Sequence, residues 1–212
     1  DVLAGTYCIV CVIGEGGMGR VYEAEHVRLP RKFAVKIVAP ELATNAEAIG
    51  RLEREAQAAA RIVHDNVLDV LDVVRARDGR PCMVTELLRG EELGYMLERV
   101  GKLAPLEAID IARQVCRGLA AAHAQEIVHR DLKPENLFLC PRDGGGYKVK
   151  ILDFGVAKMT DGANLTRLGT VVGTPAYMAP EQARGAPNVD GRADVYATGA
   201  VLYRLVTGHA PY

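Results

Sequence analysis

The sequence predicts an α+β protein of two lobes, a small antiparallel sheet with one main helix followed by a mostly helical part. Three observations predict it. Alternating, β-branched runs fill most of the first 88 residues around a single Ala-, Glu- and Arg-rich stretch; helical spacing takes over after residue 104; and the composition shifts once, near Leu88–Gly90. The expected division is therefore 1–88 and 89–212.

The elements follow in order. Thr6 to Ile13 and Arg20 to His26 are β-like runs on either side of "GEGGMG", a hairpin with a glycine loop. "RKFAVKIV", 31–38, is a third strand. Thr44 and Glu47 form a capping box that opens a helix running to about Ile62. Strands at 67–76 and 81–87 flank the turn "RDGR". In the second part Pro105 suits the first position of a helix, and Ala108, Ile109, Ala112, Val115, Cys116 and Leu119 recur at helical spacing. "YKVKIL" is a short strand, and Gly191 to Val206 is helical and apolar nearly all round, the pattern of a buried helix.

At 212 residues the chain is long enough to bury a sizeable core. Hydrophobic residues make up 49 % and charged residues 25 %, the balance of a soluble globular protein. A net charge of −1 gives no reason to expect nucleic acid or an anionic membrane as partner. No charge-free apolar run approaches the roughly 20 residues that span a bilayer, and no signal-peptide pattern opens the chain. Because it begins at Asp1 and stops at Tyr212 directly after an apolar stretch, the chain is expected to be a fragment. The five cysteines include a C-x-x-C at Cys8 and Cys11, a spacing that serves zinc or redox chemistry. On a strand these two face opposite sides, and no second ligand pair accompanies them, so thiols in a reducing, cytoplasmic compartment are expected.

Four motifs carry chemistry. Gly14, Gly16 and Gly19 spell G-x-G-x-x-G, which also marks dinucleotide-binding folds or a plain turn. Here "RVYEAEH" continues as a strand rather than a helix, and a glycine loop between antiparallel strands can lay backbone N–H groups over a polyphosphate. Lys36 points to the same face as Ala34 and Val38, and an ammonium on an apolar face needs a partner. Glu55 lies at the edge of the helix stripe Leu52, Ala56, Ala59 and Ile62, and supplies one. In "VHRDLKPENLFL", Pro134 breaks regular helix, so Asp131 and Asn136 project from one irregular loop. A carboxylate there can accept a hydroxyl proton, an Asn carbonyl is a hard ligand for Mg²⁺, and Lys133 adds a cation for phosphoryl charge. Asp153, at the end of the apolar strand in "ILDFGVAK", is a second Mg²⁺ oxygen donor of the kind phosphoryl transfer requires. His64 and His123 have no ligand partner nearby in the sequence and are read as packing residues.

In this order, "GEGGMGRV", "FAVK", a helix Glu, "HRDLKPEN", "DFG" and "APE" resemble the catalytic domain of a Hanks-type Ser/Thr protein kinase, in its bacterial, eukaryotic-like branch. The resemblance covers Tyr7 to Tyr212 and implies the bilobal protein-kinase fold. It implies ATP and Mg²⁺ (with Mn²⁺ as a substitute), and protein substrates with Ser/Thr hydroxyls. Asp131 is then the catalytic base, Lys133 meets the γ-phosphate, Asn136 and Asp153 hold the metal, and Lys36, fixed by Glu55, anchors the α/β-phosphates. Thr174 of "GTPAY" matches the threonine that bonds base and lysine. Thr85 of "TELL" falls at the gatekeeper position, with the backbone of Glu86 and Leu88 facing adenine between Val21 and Ala34 above and Phe138 below. Glu92 is a ribose contact, His129 and Phe154 stack with Ala59 in the regulatory spine, and Asp194 braces the catalytic loop. Arg130 is positioned to receive a phosphate on the activation segment, at Thr166 or Thr170.

The resemblance also implies helices after Tyr212 and, among them, an Arg partner for Glu181. Without them one side of the 191–206 helix is expected to face water and promote association. The full-length protein has room for a membrane anchor, and dimerisation is compatible with the sequence but not readable in it. Two rivals are a pseudokinase scaffold, which predicts loss of Lys36, Asp131 or Asp153, and a small-molecule kinase of related fold. All three residues are present, and the long threonine-bearing segment between "DFG" and "APE" favours a protein substrate.

Overall fold

A computed structural model describes residues 2–16, 19–39, 46–154 and 175–211, without the side chains of residues 46–48, 51 and 55. The chain divides into two compact units, 1–61 with 68–88, and 62–67 with 89–212.

The first unit is a six-stranded antiparallel sheet in the order β1-β2-β3-β4-β6-β5. Its strands are β1 (Val2–Leu3), β2 (Tyr7–Gly16), β3 (Gly19–His26), β4 (Lys32–Val38), β5 (Val70–Arg75) and β6 (Pro81–Glu86). Alternation sorts its side chains into two faces. Phe33, Val35 and Ile37 of β4 pack with Leu3, Tyr7, Ala24, Cys82 and Val84 on one face. On the other, Val38 and Met83 pack with Leu52 and Ala56 of helix α1 (Ala46–Ala60). The expected inward stripe of that helix holds at Leu52, Ala56 and Ala59, all under 9 % exposed. Its expected capping residue Thr44 lies outside the described residues. Cys8 and Cys11 are free thiols, as are Cys82, Cys116 and Cys140.

One expected strand is shorter than its sequence run. Residues 67–76 read as one strand, but β5 begins at Val70, and Val67 instead makes a parallel bridge to Ile151 in the second unit. Ile62–Val67 therefore groups with the second unit although the boundary at 88 places it in the first.

The second unit has a three-stranded antiparallel sheet of β7 (Glu91–Glu92), β8 (Leu137–Pro141) and β9 (Tyr147–Ile151), in the order β7-β8-β9. Its described helices are α2 (Leu93–Val100), α3 (Pro105–His123), α4 (Pro180–Ala183) and α5 (Arg192–Thr207). Pro105 opens α3, as expected. The buried face of α3 differs from the apolar stripe: Ile109 and Cys116 are exposed, while Gln114 and Gly118 are buried. The reason is polar. Gln114 donates from Nε2 to the Asp110 carboxylate (2.8 Å) and the Tyr147 carbonyl (2.9 Å). Its Oε1 accepts from the Val149 N–H (3.0 Å), Asn66 Nδ2 (3.1 Å) and Arg142 (3.0 Å). A side chain so fully satisfied can be buried. Asn66 completes the stitch, donating from Nδ2 to the Val149 carbonyl (2.8 Å) and accepting from the Ile151 N–H through its own carbonyl (2.9 Å).

Helix α5 is also less buried than its composition suggests. Ala193, Asp194, Ala197, Ala200, Val201 and Leu205 are buried, whereas Val195 is 68 % exposed and Tyr203 and Val206 also face outward. Only one side of the helix packs within the described chain.

Candidate active site

Residues 127–136 form an irregular loop fastened to the buried start of α5. Asp194 has no exposed surface. One of its carboxylate oxygens accepts the N–H of His129 (2.8 Å), and the other accepts the N–H of Arg130 (2.8 Å). The His123 ring also reaches Asp194 through Nε2 at 2.7 Å. His123 is thus a polar partner of the loop's anchor, 71 residues away in sequence, where no local pattern could reveal it. The ring has room because position 191 is glycine; a Cβ there would stand 2.8 Å from the imidazole.

The loop's other histidine is locked in one tautomer. His129 Nδ1 accepts the Asp131 N–H (3.2 Å), so Nε2 carries the proton toward the Leu152 carbonyl (2.9 Å). Desolvation holds its pKa below the ordinary imidazole value, against the pull of Asp194 and the Leu152 carbonyl, and the ring stays neutral. Its ring centroid lies 4.9 Å from that of Phe154 with the planes tilted by 49°, so the two expected partners meet without stacking face to face.

Pro134–Asn136 makes one 3-10 turn, and Asn136 is buried. Asn136 Nδ2 donates to the Asp131 carbonyl (2.7 Å), and the Asn136 carbonyl accepts the Leu152 N–H (2.9 Å). The 3-10 turn therefore ties the Asp131 loop to the residue just before Asp153. Lys133 Nζ stands 3.9 Å from Asp131 Oδ2, both side chains about a quarter exposed. Asp153 is exposed and left-handed, φ +43, an uncommon setting for a residue with a Cβ.

Phe138 and Glu92 are register partners on β8 and β7 and so share a face. Burial, with Asp153 and Glu135 nearby, raises the Glu92 carboxyl above the usual range. This excess of carboxylate charge suits a cation. Among the described residues no group of three or more His, Cys, Asp or Glu could hold a metal alone. Mg²⁺ does not need one, since it takes one or two protein oxygens and completes its shell with phosphates and water.

In the first unit, Val21 of β3 and Met83 of β6 are the register partners of Lys36 on β4, and Thr85 is that of Ala34. Val21, Ala34, Lys36 and Thr85 therefore lie on the face that also packs α1. Lys36 is half-buried there and Thr85 is buried, its hydroxyl donating to the Glu86 carbonyl (3.2 Å). Glu86 also closes the sheet end, accepting the Asp69 N–H on its carboxylate (3.0 Å), and Leu88 ends the unit half-buried. The three glycines differ. A Cβ at Gly19 would stand 2.0 Å from the Ile37 carbonyl oxygen, so the sheet itself demands glycine. At Gly14 it would make ordinary contact with Val21, and at Gly16 it would meet no atom of the described residues within 4 Å. The side chain of Glu55 is not described, and Thr166, Thr170 and Thr174 lie outside the described residues.

Gln182 is a further residue the motif reading passed over. It sits three residues after Ala179, the position that reaches back in a capping box, and its Nε2 donates to the Arg130 carbonyl (2.8 Å).

The family model for the protein kinase domain matches residues 7–212, and the chain belongs to that family, in its bacterial, eukaryotic-like serine/threonine branch. It is 42 % identical to the serine/threonine-protein kinase pkn3 of Myxococcus xanthus over 99 % of this chain and 39 % of that protein. With Pkn1 of the same organism the figures are 44 %, 100 % and 30 %, and with PknA of Mycobacterium tuberculosis 40 %, 99 % and 48 %. The chain thus spans less than half the length of these curated relatives. The crystal structure of the M. tuberculosis PknI kinase domain superposes with a TM-score of 0.77 at 30 % identity, over all of this chain and 78 % of that one. The bilobal kinase fold is thereby established. No described helix is long and apolar enough to cross a membrane.

Proposed function

We propose that the protein transfers the γ-phosphoryl group of ATP to Ser and Thr hydroxyls of protein substrates. The observation that carries this reading is the fastening of the 129–136 loop. Asp194 holds two successive N–H groups, and Asn136 links the loop to the strand end that bears Asp153. Phosphoryl transfer depends on positioning and charge neutralisation more than on covalent attack, and a loop held at this many points supplies positioning.

In this reading Asp131 orients the acceptor hydroxyl and takes its proton, while Lys133, 3.9 Å from the carboxylate, offers its ammonium to γ-phosphoryl oxygens. Asn136 Oδ1 and Asp153 are the hard oxygens for Mg²⁺, and Mn²⁺ would be accepted by the same donors. Bound there, the metal would neutralise charge on the β- and γ-phosphate oxygens. Lys36, with Glu55 as partner, holds the α/β-phosphates, and Thr174 joins base and lysine. Gly14 and Gly16, which no packing contact among the described residues requires, admit the close approach of phosphate to backbone N–H groups. Val21, Ala34 and Phe138 enclose adenine, Thr85 stands at the gatekeeper position, Glu86 and Leu88 offer backbone, and Glu92 meets the ribose.

Regulation follows from Arg130: phosphate on Thr166 or Thr170 would draw its guanidinium, which now donates to the Val189 carbonyl (3.0 Å). The test is phosphate transfer from radiolabelled ATP by the full-length protein, offered a generic protein acceptor and, separately, aminoglycosides. Label on protein supports the reading, and label on the aminoglycosides alone refutes it.

A further inference from the structure

The peptide that joins Arg130 to Asp131 is pinned at both ends. Its N–H, on Asp131, donates to His129 Nδ1 (3.2 Å). Its carbonyl, on Arg130, accepts from Gln182 Nε2 (2.8 Å). Arg130 is left-handed, φ +64, a conformation disfavoured for a residue with a Cβ, so the loop needs outside contacts to keep it. Asp194 holds the nitrogen side of Arg130 (2.8 Å) and Gln182 holds the carbonyl side.

The orientation of the Gln182 amide is forced. Oε1 accepts the Ala179 N–H (3.2 Å) while Nε2 faces the Arg130 carbonyl. The opposite orientation would set donor against donor and acceptor against acceptor. Ala179 has no side-chain acceptor of its own, so α4 has half a capping box, supplied by Gln182. One side chain thus serves two masters: its oxygen caps α4, and its nitrogen fixes the peptide plane that precedes Asp131.

We propose that Gln182 is a positioning residue for phosphoryl transfer, aiming the Asp131 carboxylate by fixing the Arg130–Asp131 peptide. The inference rests on the reading of Asp131 as the base. The two halves of the amide can be separated in the full-length protein. Gln182→Glu keeps an acceptor for Ala179, loses the donor, and sets a carboxylate against the Arg130 carbonyl. Gln182→Lys keeps a donor and loses the acceptor. Displacement of a catalytic group by about 1 Å costs on the order of a hundredfold, so Gln182→Glu is expected to lower kcat about ten- to a hundredfold with KM for ATP unchanged. Gln182→Lys should retain clearly more of kcat. The Asp131 amide should exchange hydrogen faster in Gln182→Glu than in the wild type. Equal losses in both variants, a greater loss in Gln182→Lys, or unaltered exchange at Asp131 would reduce Gln182 to a helix cap and overturn the proposal. If the wild type transfers no phosphate to any protein, the kinase reading fails by itself, and the exchange comparison still decides whether Gln182 fixes this peptide.

Discussion

Asp131 and Lys133 lie 3.9 Å apart on a loop whose backbone is held by Asp194 and Asn136, so an isosteric replacement of the carboxylate leaves those backbone contacts in place. A positioned base contributes about a hundred- to ten-thousand-fold. Asp131→Asn is therefore expected to lower kcat by that factor while a fluorescent ATP analogue binds as tightly as before; near wild-type turnover would sink the role given to Asp131. His129 makes a second prediction. Its folded pKa lies below the ordinary 6.5. As pH falls through that value the unfolded chain takes up a proton that the folded chain refuses, so stability is present above about 6.5 and lost below it. Denaturation midpoints measured from pH 7.5 down to 5 should fall below 6.5, and His129→Gln should flatten the decline. An unchanged slope in that variant would assign the acid sensitivity to other groups.

At the scale of elements, the glycine hairpin separates what the fold needs from what a ligand needs. Gly19→Ala would press a Cβ to within 2.0 Å of the Ile37 carbonyl oxygen and should cost at least about 2 kcal/mol of stability. Gly16→Ala meets none of the described residues and should leave the melt unchanged while weakening ATP binding. Equal melts for the two variants would contradict the packing described. The sequence made this hairpin legible because period-2 alternation and a glycine cluster are local signals. It also made the chemistry of 128–139 legible, since charges crowded between apolar flanks need a reason. It did not reveal which face of α3 is buried, because Gln114 is buried by partners on other elements, and apolar periodicity cannot register them. Gln114→Leu tests this directly. It strands the Val149 N–H and the Tyr147 carbonyl and should destabilise by about 2–4 kcal/mol, although hydrophobicity alone predicts a gain. The shift in composition near residue 88 is a local signal. The grouping of Ile62–Val67 with the second unit has none, because it rests on Asn66 and on a single bridge at Val67.

For the whole molecule, that transfer means the chain passes between the units three times, at 61–62, 67–68 and 88–89. The first unit is not one continuous segment. A fragment of residues 1–88 would carry Ile62 and Val67, 3 % and 0 % exposed in the intact protein, without the β9 edge that Val67 and Asn66 engage. Such a fragment is expected to melt without cooperativity and to be cleaved by protease within 62–67, whereas the intact protein is protected there. A cooperative melt with an uncut 62–67 segment would show that the first unit stands alone.

The six-residue graft has a consequence for how such chains can be recombined. A crossover at 88 with a relative would exchange Ile62–Val67 along with the sheet, delivering a foreign segment to β9, Gln114 and the close approach at Gly118, where a Cβ would already meet the Asn66 carbonyl at 3.0 Å. Hybrids of two members of the family should therefore survive best when the donated piece leaves 62–67 behind, so that inheritance follows contact rather than contiguity.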